Sequence, residues 1–225
     1  MRFLMKFFSH THKRIYLDYA SSTPIDPVIL RHYTNLLREC YANPHSLHKE
    51  GVHVARILGD ARVSVAQSIN ALPREVFFVS SATESDNLAL FGVVRAARQD
   101  PTFAHKKELH LLVSAVEHAG VLEVAKQLEK ENVVVEYIPV TSKGIVDLEA
   151  LKSMLRPTTV LVSVMHVNNE IGTVQPIAEI AKIIRHAMKH KKTTSPYPYF
   201  HTDASQSLNY LSLDVQKLGV DLLTF

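Results

Sequence analysis

The sequence has 225 residues, 46% of them hydrophobic and 21% charged, the balance of a globular protein with enough apolar side chains for a sizeable core. Its 25 lysines and arginines stand against 22 acidic residues, and the formal net charge of +3 is too small to imply nucleic acid or an anionic membrane as a partner. Cys40 is the one cysteine, so no intrachain disulfide can form; a reducing compartment is expected, and the cytoplasm fits best.

Met1 to Arg14 is basic and aromatic, but Lys6 interrupts its apolar run and no small-residue cleavage site follows, so residues 1–14 read as an N-terminal extension. No apolar stretch approaches the roughly 20 residues needed to cross a bilayer, and no membrane partner is expected. Asp26-Pro27 predicts the start of a helix running to about Cys40, near whose end Cys40 reads as a small packing residue. A second helix covers about Leu47 to Ile69, with Tyr41-Ala42-Asn43-Pro44 as the turn between the two.

From there β-rich apolar runs alternate with helical patterns. Val76 to Ser80, His110 to Ala115, Val133 to Val140, Thr159 to Val167 and Tyr199 to Thr202 predict strands, and the run Asp221 to Phe225 predicts another. Glu84 to Arg98, Gly120 to Glu131, Asp147 to Leu155 and Ile177 to Lys189 predict helices. Most of the strand runs are continuously apolar, as in parallel sheets covered on both faces, so the alternation predicts an α/β fold. His190 to Pro198 is polar and proline-containing and reads as an exposed loop.

The first segment with chemical content is Ser80-Ser81-Ala82-Thr83-Glu84-Ser85-Asp86-Asn87, where a strand gives way to a helix. Thr83 is expected to cap that helix with Asp86 in the capping-box position, and free N–H groups at the positive end of the helix dipole suit a phosphate. Four further segments place polar residues at strand C-terminal ends, where open α/β sheets bind ligands: Val116-Glu117-His118, His166 to Gly172, His201 to Gln206 and the terminal Asp221 to Phe225. With 7 glycines and no G-x-G-x-x-G there is no dinucleotide fingerprint, which leaves pyridoxal 5'-phosphate (PLP) as a natural candidate. Each residue also has a plain structural reading: His118 as a helix cap, Asp203 as a turn cap, Asn169 as a partner for local backbone. His45, His48 and His53 lack a carboxylate or thiol that would complete a ligand set, so no metal is expected.

Leu17-Asp18-Tyr19-Ala20 with Thr23-Pro24, Asn43-Pro44 with Ser46-Leu47-His48, the ATESDN run from Ala82, Glu117-His118, MHVNNEIG from Met165 and HTDASQS from His201 together resemble the cysteine desulfurases. These are the NifS/IscS-like branch of the fold-type I, class V aminotransferase-like PLP enzymes. The resemblance implies that residues 15–225 form the large PLP-binding domain, a mostly parallel sheet with helices on both faces. It implies that Ala82 and Thr83 hold the cofactor phosphate and that His118, the candidate catalytic residue, stacks on the pyridine ring. Asp203 would pair with the ring nitrogen, while Asn169 and Gln206 would hydrogen-bond the phenolic oxygen side.

The implied reaction takes L-cysteine to L-alanine: the Cα proton is removed and a cysteine thiolate attacks the substrate sulfur, leaving an enzyme persulfide. Sulfur acceptors would be iron–sulfur scaffold or tRNA thiolation proteins, and the complete enzyme would be a homodimer. In the family, a run like Asp221 to Phe225 leads into a Ser-x-His-Lys segment carrying the Schiff-base lysine; the acceptor cysteine and a small domain lie further on. The sequence ends before these, so this chain alone is expected to be inactive. The rival readings are a selenocysteine lyase or other class V aminotransferase-like enzyme, and a catalytically inactive fragment that binds only partners or PLP.

Overall fold

The computed structural model describes residues 15–19, 21–104, 108–189 and 196–225. The N-terminal extension, and residues 190–195 of the predicted loop, lie outside the described residues. The chain divides into two compact units, Met1–Tyr41 and Ala42–Phe225.

In the first unit, Asp26 accepts hydrogen bonds from the N–H groups of Val28 and Ile29, and Pro27 occupies the first turn of helix α1 (Pro27–Glu39). Proline is preorganised for that position and lacks the N–H that would be orphaned there. Cys40 ends the helix, half-buried, its N–H donating to Leu36 O at 2.7 Å.

The second unit starts with α2 (Lys49–Ser68), capped by His48, whose Nδ1 accepts from Gly51 N–H. After a 3-10 turn (Pro73–Glu75) come α3 (Ala82–Gln99), α4 (Pro101–Ala104), β1 (Leu109–Ser114), α5 (Ala119–Lys130) and β2 (Val133–Ile138). They are followed by α6 (Leu148–Met154), β3 (Thr159–Ser163), α7 (Ile177–Lys189), β4 (Tyr199–Asp203), α8 (Val215–Leu218) and β5 (Leu222–Thr224). The strands form one sheet in the order β2-β1-β3-β4-β5, and every pairing is parallel.

Side chains alternate across a strand, so consecutive apolar residues feed two cores. Leu111 and Val113 pack with Leu90 and Val94 of α3 and Leu128 of α5, while Leu112 packs with Leu151 of α6 and Ile180 and Ile184 of α7. Both faces of the sheet are therefore covered, and the expected α/β architecture is present. Parallel strands that all run one way also bring the C-terminal ends of β1, β3 and β4 to one edge of the sheet.

Two strand expectations are corrected. Residues 76–80 form no strand: the segment has no ladder partner among the described residues, and Phe77 is 75% exposed. A β-rich run becomes a strand only beside another backbone. Between this segment and β5 lies a cavity of about 880 Å³, lined by Val76, Phe78, Leu88, Leu222 and Phe225 among others. The run Thr159 to Val167 is a strand only to Ser163; Val164 and His166 still donate to the carbonyls of His201 and Asp203 before the chain turns away. The 3-10 turn, α4 and α8 are too short to show a sequence period.

Candidate cofactor site

The helix start at α3 differs from the sequence expectation. Ser81, not Thr83, is the N-cap: its backbone is extended and its Oγ accepts from Glu84 N–H at 3.2 Å. Thr83 lies one turn position too far along, already helical, where a side chain cannot reach the orphan amides. Glu84 reaches back to the N–H and hydroxyl of Ser80 at 2.6 and 2.5 Å, and those bonds, the hydroxyl's first, lower its pKa. The N–H groups of Ala82 and Thr83 have no partner among the described residues. Asp86 is not a capping residue; it is fully buried.

At the end of β1, Glu117 is buried, and its Oε1 accepts from Ser114 Oγ and from Met165 N–H, each at 2.6 Å. Burial pushes its pKa up to about 8, against the lowering effect of those two bonds. His118 is exposed and caps α5, with Nδ1 accepting from Gly120 N–H at 3.1 Å. A Cβ on Gly120 would stand 3.2 Å from His118 Nδ1 and 3.3 Å from Thr83 Oγ1, so the first turns of α3 and α5 meet there with little room.

The loop after β3 is shaped by Asn168 rather than Asn169. Asn168 Oδ1 accepts from the N–H groups of Glu170 and Ile171 at 3.0 Å, and its Nδ2 donates to Val116 O at 2.9 Å. Asn169 is half-buried with no side-chain partner among the described residues, so it does not serve local backbone. At the end of β4, Asp203 Oδ1 accepts from Ser205 N–H at 2.9 Å and Ser205 Oγ at 2.6 Å, and Oδ2 has no partner among the described residues. Gln206 is exposed on the turn that follows.

Backbone contacts tie these segments together. Asn168 joins the β3 loop to Val116, Glu117 joins the β1 turn to Met165, and His166 N–H joins that loop to Asp203 O at 2.8 Å. Sequence reasoning assigned Asp86 only a capping role, and Glu117, Asn168 and His201, though within the polar segments, no role at all. An acid two residues beyond a mostly apolar strand, preceded by Ala115 and Val116, was the available signal for Glu117. The large cavity borders Ala82 but is not lined by His118, Asn169, Asp203 or Gln206, so it is not this site.

Beneath Asp203, on the α3 side of the sheet, sits a buried polar layer. His201 Nδ1 meets Ser163 Oγ at 2.9 Å, its Nε2 meets Thr224 Oγ1 at 3.1 Å, and Thr224 Oγ1 meets Ser85 Oγ at 2.9 Å. Burial drives the His201 pKa down to about 4 and that of Asp86 up to about 7, the latter with help from the charge of Asp203.

A cofactor with a phosphate, a ring nitrogen and a phenolic oxygen fits this donor set. Two free amides at a helix N-terminus suit the phosphate, the vacant Oδ2 of a largely buried carboxylate suits a protonated ring nitrogen, and the unpartnered amide of Asn169 suits the phenolate.

Residues 15–225 match the model of the aminotransferase class-V family. The chain is 40% identical over 210 residues to the cysteine desulfurase IscS 1 of Archaeoglobus fulgidus, covering 93% of this chain and 50% of that protein. It is 41% identical over 211 residues to the cysteine desulfurase of Homo sapiens, covering 93% of this chain and 43% of that protein. Among solved structures, a NifS-like protein superposes with a TM-score of 0.83 at 34% identity, over 93% of this chain and 54% of that one. SspA in complex with cysteine superposes with a TM-score of 0.81 at 32% identity, over 92% of this chain and 55% of that one. The chain thus spans about half the length of these relatives. The parallel sheet covered on both faces, the order of the loop motifs and these similarities along nearly the whole chain place it in the aminotransferase class-V family, with the fold-type I large domain of NifS-like cysteine desulfurases.

Proposed function

We propose that this chain forms the cofactor-binding part of a PLP-dependent cysteine desulfurase, converting L-cysteine to L-alanine with sulfur leaving through an enzyme persulfide. The observation that carries the reading is the convergence of Thr83, His118, Asn169 and Asp203 on loops tied together at the C-terminal edge of one parallel sheet. The similarity to SspA, whose structure is described as a complex with cysteine, supports the substrate.

When bound, PLP supplies the electron sink that lets a Cα proton leave and a carbon–sulfur bond break. The residues of this chain bind and orient. The N–H groups of Ala82 and Thr83 hold the phosphate, and the imidazole of His118 covers one face of the ring and keeps water from it. Asp203 holds a proton at the ring nitrogen through Oδ2, and the side-chain amides of Asn169 and Gln206 donate to the phenolic oxygen.

Residues 15–225 constitute the large domain in this proposal, and the working enzyme is a homodimer in the cytoplasm. It delivers sulfur to iron–sulfur scaffold or tRNA thiolation proteins. No described helix is long and apolar enough to cross a membrane.

The test is to titrate PLP into the purified chain and to assay the intact gene product for alanine release from L-cysteine. Saturable PLP binding is expected. A preorganised charge aimed at a developing charge is typically worth about 3 to 4 kcal/mol, so Asp203→Ala in the intact enzyme should slow alanine release by roughly a hundred-fold. Unchanged turnover at full PLP occupancy would remove Asp203 from the ring nitrogen.

A further inference from the structure

Three carboxyl groups crowd the floor of the site from three different elements. Asp86 comes from α3, Glu117 from the turn after β1 and Asp203 from the end of β4; each is close enough to the others for their charges to interact. No lysine or arginine forms an ion pair with any of them among the described residues. Among the described residues, His201 is the one base within ion-pair distance of any of them, while His166, whose N–H meets Asp203 O, is buried too, which lowers its pKa. His201 lies 3.6 Å from Asp86 and is wholly buried. That distance is too long for a hydrogen bond, and burial keeps the imidazole neutral. Beside Asp86, the Thr224 hydroxyl, which also meets His201 and Ser85, favours the charged form, but by less than burial opposes it.

Three ionised carboxylates without a cation would repel one another strongly in a site of low dielectric. Their surroundings differ in how they treat a charge. Asp86 is 0% exposed, and neither of its oxygens has a well-formed hydrogen bond among the described residues, the Thr224 hydroxyl being the one donor near enough to act on it. Glu117 has two donors on Oε1, but Oε2 is buried without any. Asp203 takes two donors on one oxygen, and its Oδ2 is not among the buried orphans.

We propose that Asp86 and Glu117 are held as neutral carboxylic acids behind Asp203, so that the cluster carries one negative charge and Asp203 holds it. The purpose rests on the PLP reading: a single charge sits on the carboxylate that faces the ring nitrogen. Asp86 and Glu117 are then positioning residues acting through Asp203. An ionised neighbour would raise the proton affinity of Asp203 and shift the ring proton toward it. The raised pKa values of Asp86 and Glu117 agree with this arrangement.

Infrared spectra of the purified chain without PLP, taken at about pH 6, test the charge placement directly, since exposed carboxyls with pKa values near 4 are ionised there. The carbonyl stretch of protonated carboxyls should be present and should fade as the pH is raised past about 8, in wild type alone and without any variant. Asp86→Asn and Glu117→Gln, which keep shape and remove the ionisable group, should each delete about half of the band, whereas Asp203→Asn removes no protonated carboxyl and should keep the band at low pH while moving its fading to lower pH. No protonated-carboxyl band in the wild type, or a band lost in Asp203→Asn and kept in the other two, would overturn the proposal. A chain that shows the band and binds no PLP would overturn the purpose assigned to the charge while keeping its placement.

Discussion

Glu117 accepts the backbone N–H of Met165 across the sheet at 2.6 Å, joining the turn after β1 to the end of β3. This buried side chain fixes the step between strands from which His118 projects.

The raised pKa of Glu117 makes a stability prediction with a definite sign. Its folded value, about 8, lies above the ordinary 4.5, so the folded chain binds the proton more tightly than the unfolded chain. That contribution is fully present below about pH 4.5 and is lost as the pH rises through about 8. Asp86, raised to about 7, adds a loss of the same sign at somewhat lower pH. Urea unfolding across this range should show stability falling with pH, by roughly 4 kcal/mol from Glu117 alone. Glu117→Gln should remove that share of the slope. A stability that rises from pH 5 to 8 in the wild type would contradict the assignment.

The Asn168 side chain holds the loop after β3 with three hydrogen bonds to backbone and a fourth to Met165 Sδ. Asn168→Ala leaves two N–H groups and the Val116 carbonyl without their partner, at a cost of about 2 kcal/mol because solvent can reach part of the loop. Hydrogen exchange should quicken about ten-fold at the Glu170 and Ile171 amides and little at β1. Asn168→Asp keeps the acceptor for those amides and should leave their exchange nearer the wild-type rate.

Helix α7 was legible end to end, because Ile177, Ile180, Ala181 and Ile184 repeat at helical spacing and all face one core. The central strands were legible because both of their faces are buried, which leaves an unbroken apolar run. The errors arose where the outcome depended on a distant neighbour. Residues 76–80 carry strand chemistry but pair with no strand among the described residues. Of the adjacent pair Asn168 and Asn169, only the approach of Val116 selects which one turns the loop. The cap at Ser81 is a different case: Ser81 with Glu84 three residues on is the stronger capping pattern in sequence, and the extended backbone at Ser81 agrees with it. Thr83, His118, Asn169, Asp203 and Gln206 were named from motif order, whereas the polar layer of Asp86, Glu117 and His201 required the fold, because its members come from separate elements.

Gly120 separates folding from binding. A Cβ there would press on His118 Nδ1 and Thr83 Oγ1 at 3.2 and 3.3 Å. Gly120→Ala gains up to about 1 kcal/mol of helix propensity and loses a similar amount by disturbing the His118 cap. Urea stability should therefore change by less than about 1 kcal/mol. PLP affinity, measured by fluorescence titration, should weaken at least several-fold, because both displaced side chains belong to the proposed site. Equal losses in both measurements would mean that the glycine serves only folding.

Asp221 fastens β5 to the sheet, and β5 carries Thr224, the residue that meets His201 from below the site. Its Oδ2 accepts from Phe200 N–H at 2.7 Å and its Oδ1 accepts from Arg185 of α7 at 2.7 Å, while Arg185 also donates to Gly219 O at 3.2 Å. These two bonds to Asp221 differ in value. The ion pair is partly exposed and should contribute about 1 kcal/mol, whereas Phe200 is fully buried and its amide has no water to replace the carboxylate. Asp221→Ala should therefore cost about 3 kcal/mol and Arg185→Ala about 1 kcal/mol, read from urea unfolding. Asp221→Asn, which still offers an oxygen to Phe200, should resemble Arg185→Ala. The double variant Asp221→Ala with Arg185→Ala should cost less than the sum of the two single changes, by about 1 kcal/mol, since the ion pair can be lost only once. If Asp221→Asn proves as costly as Asp221→Ala, the charge rather than the Phe200 amide holds β5 in place, and the Arg185 bond is the stronger of the two.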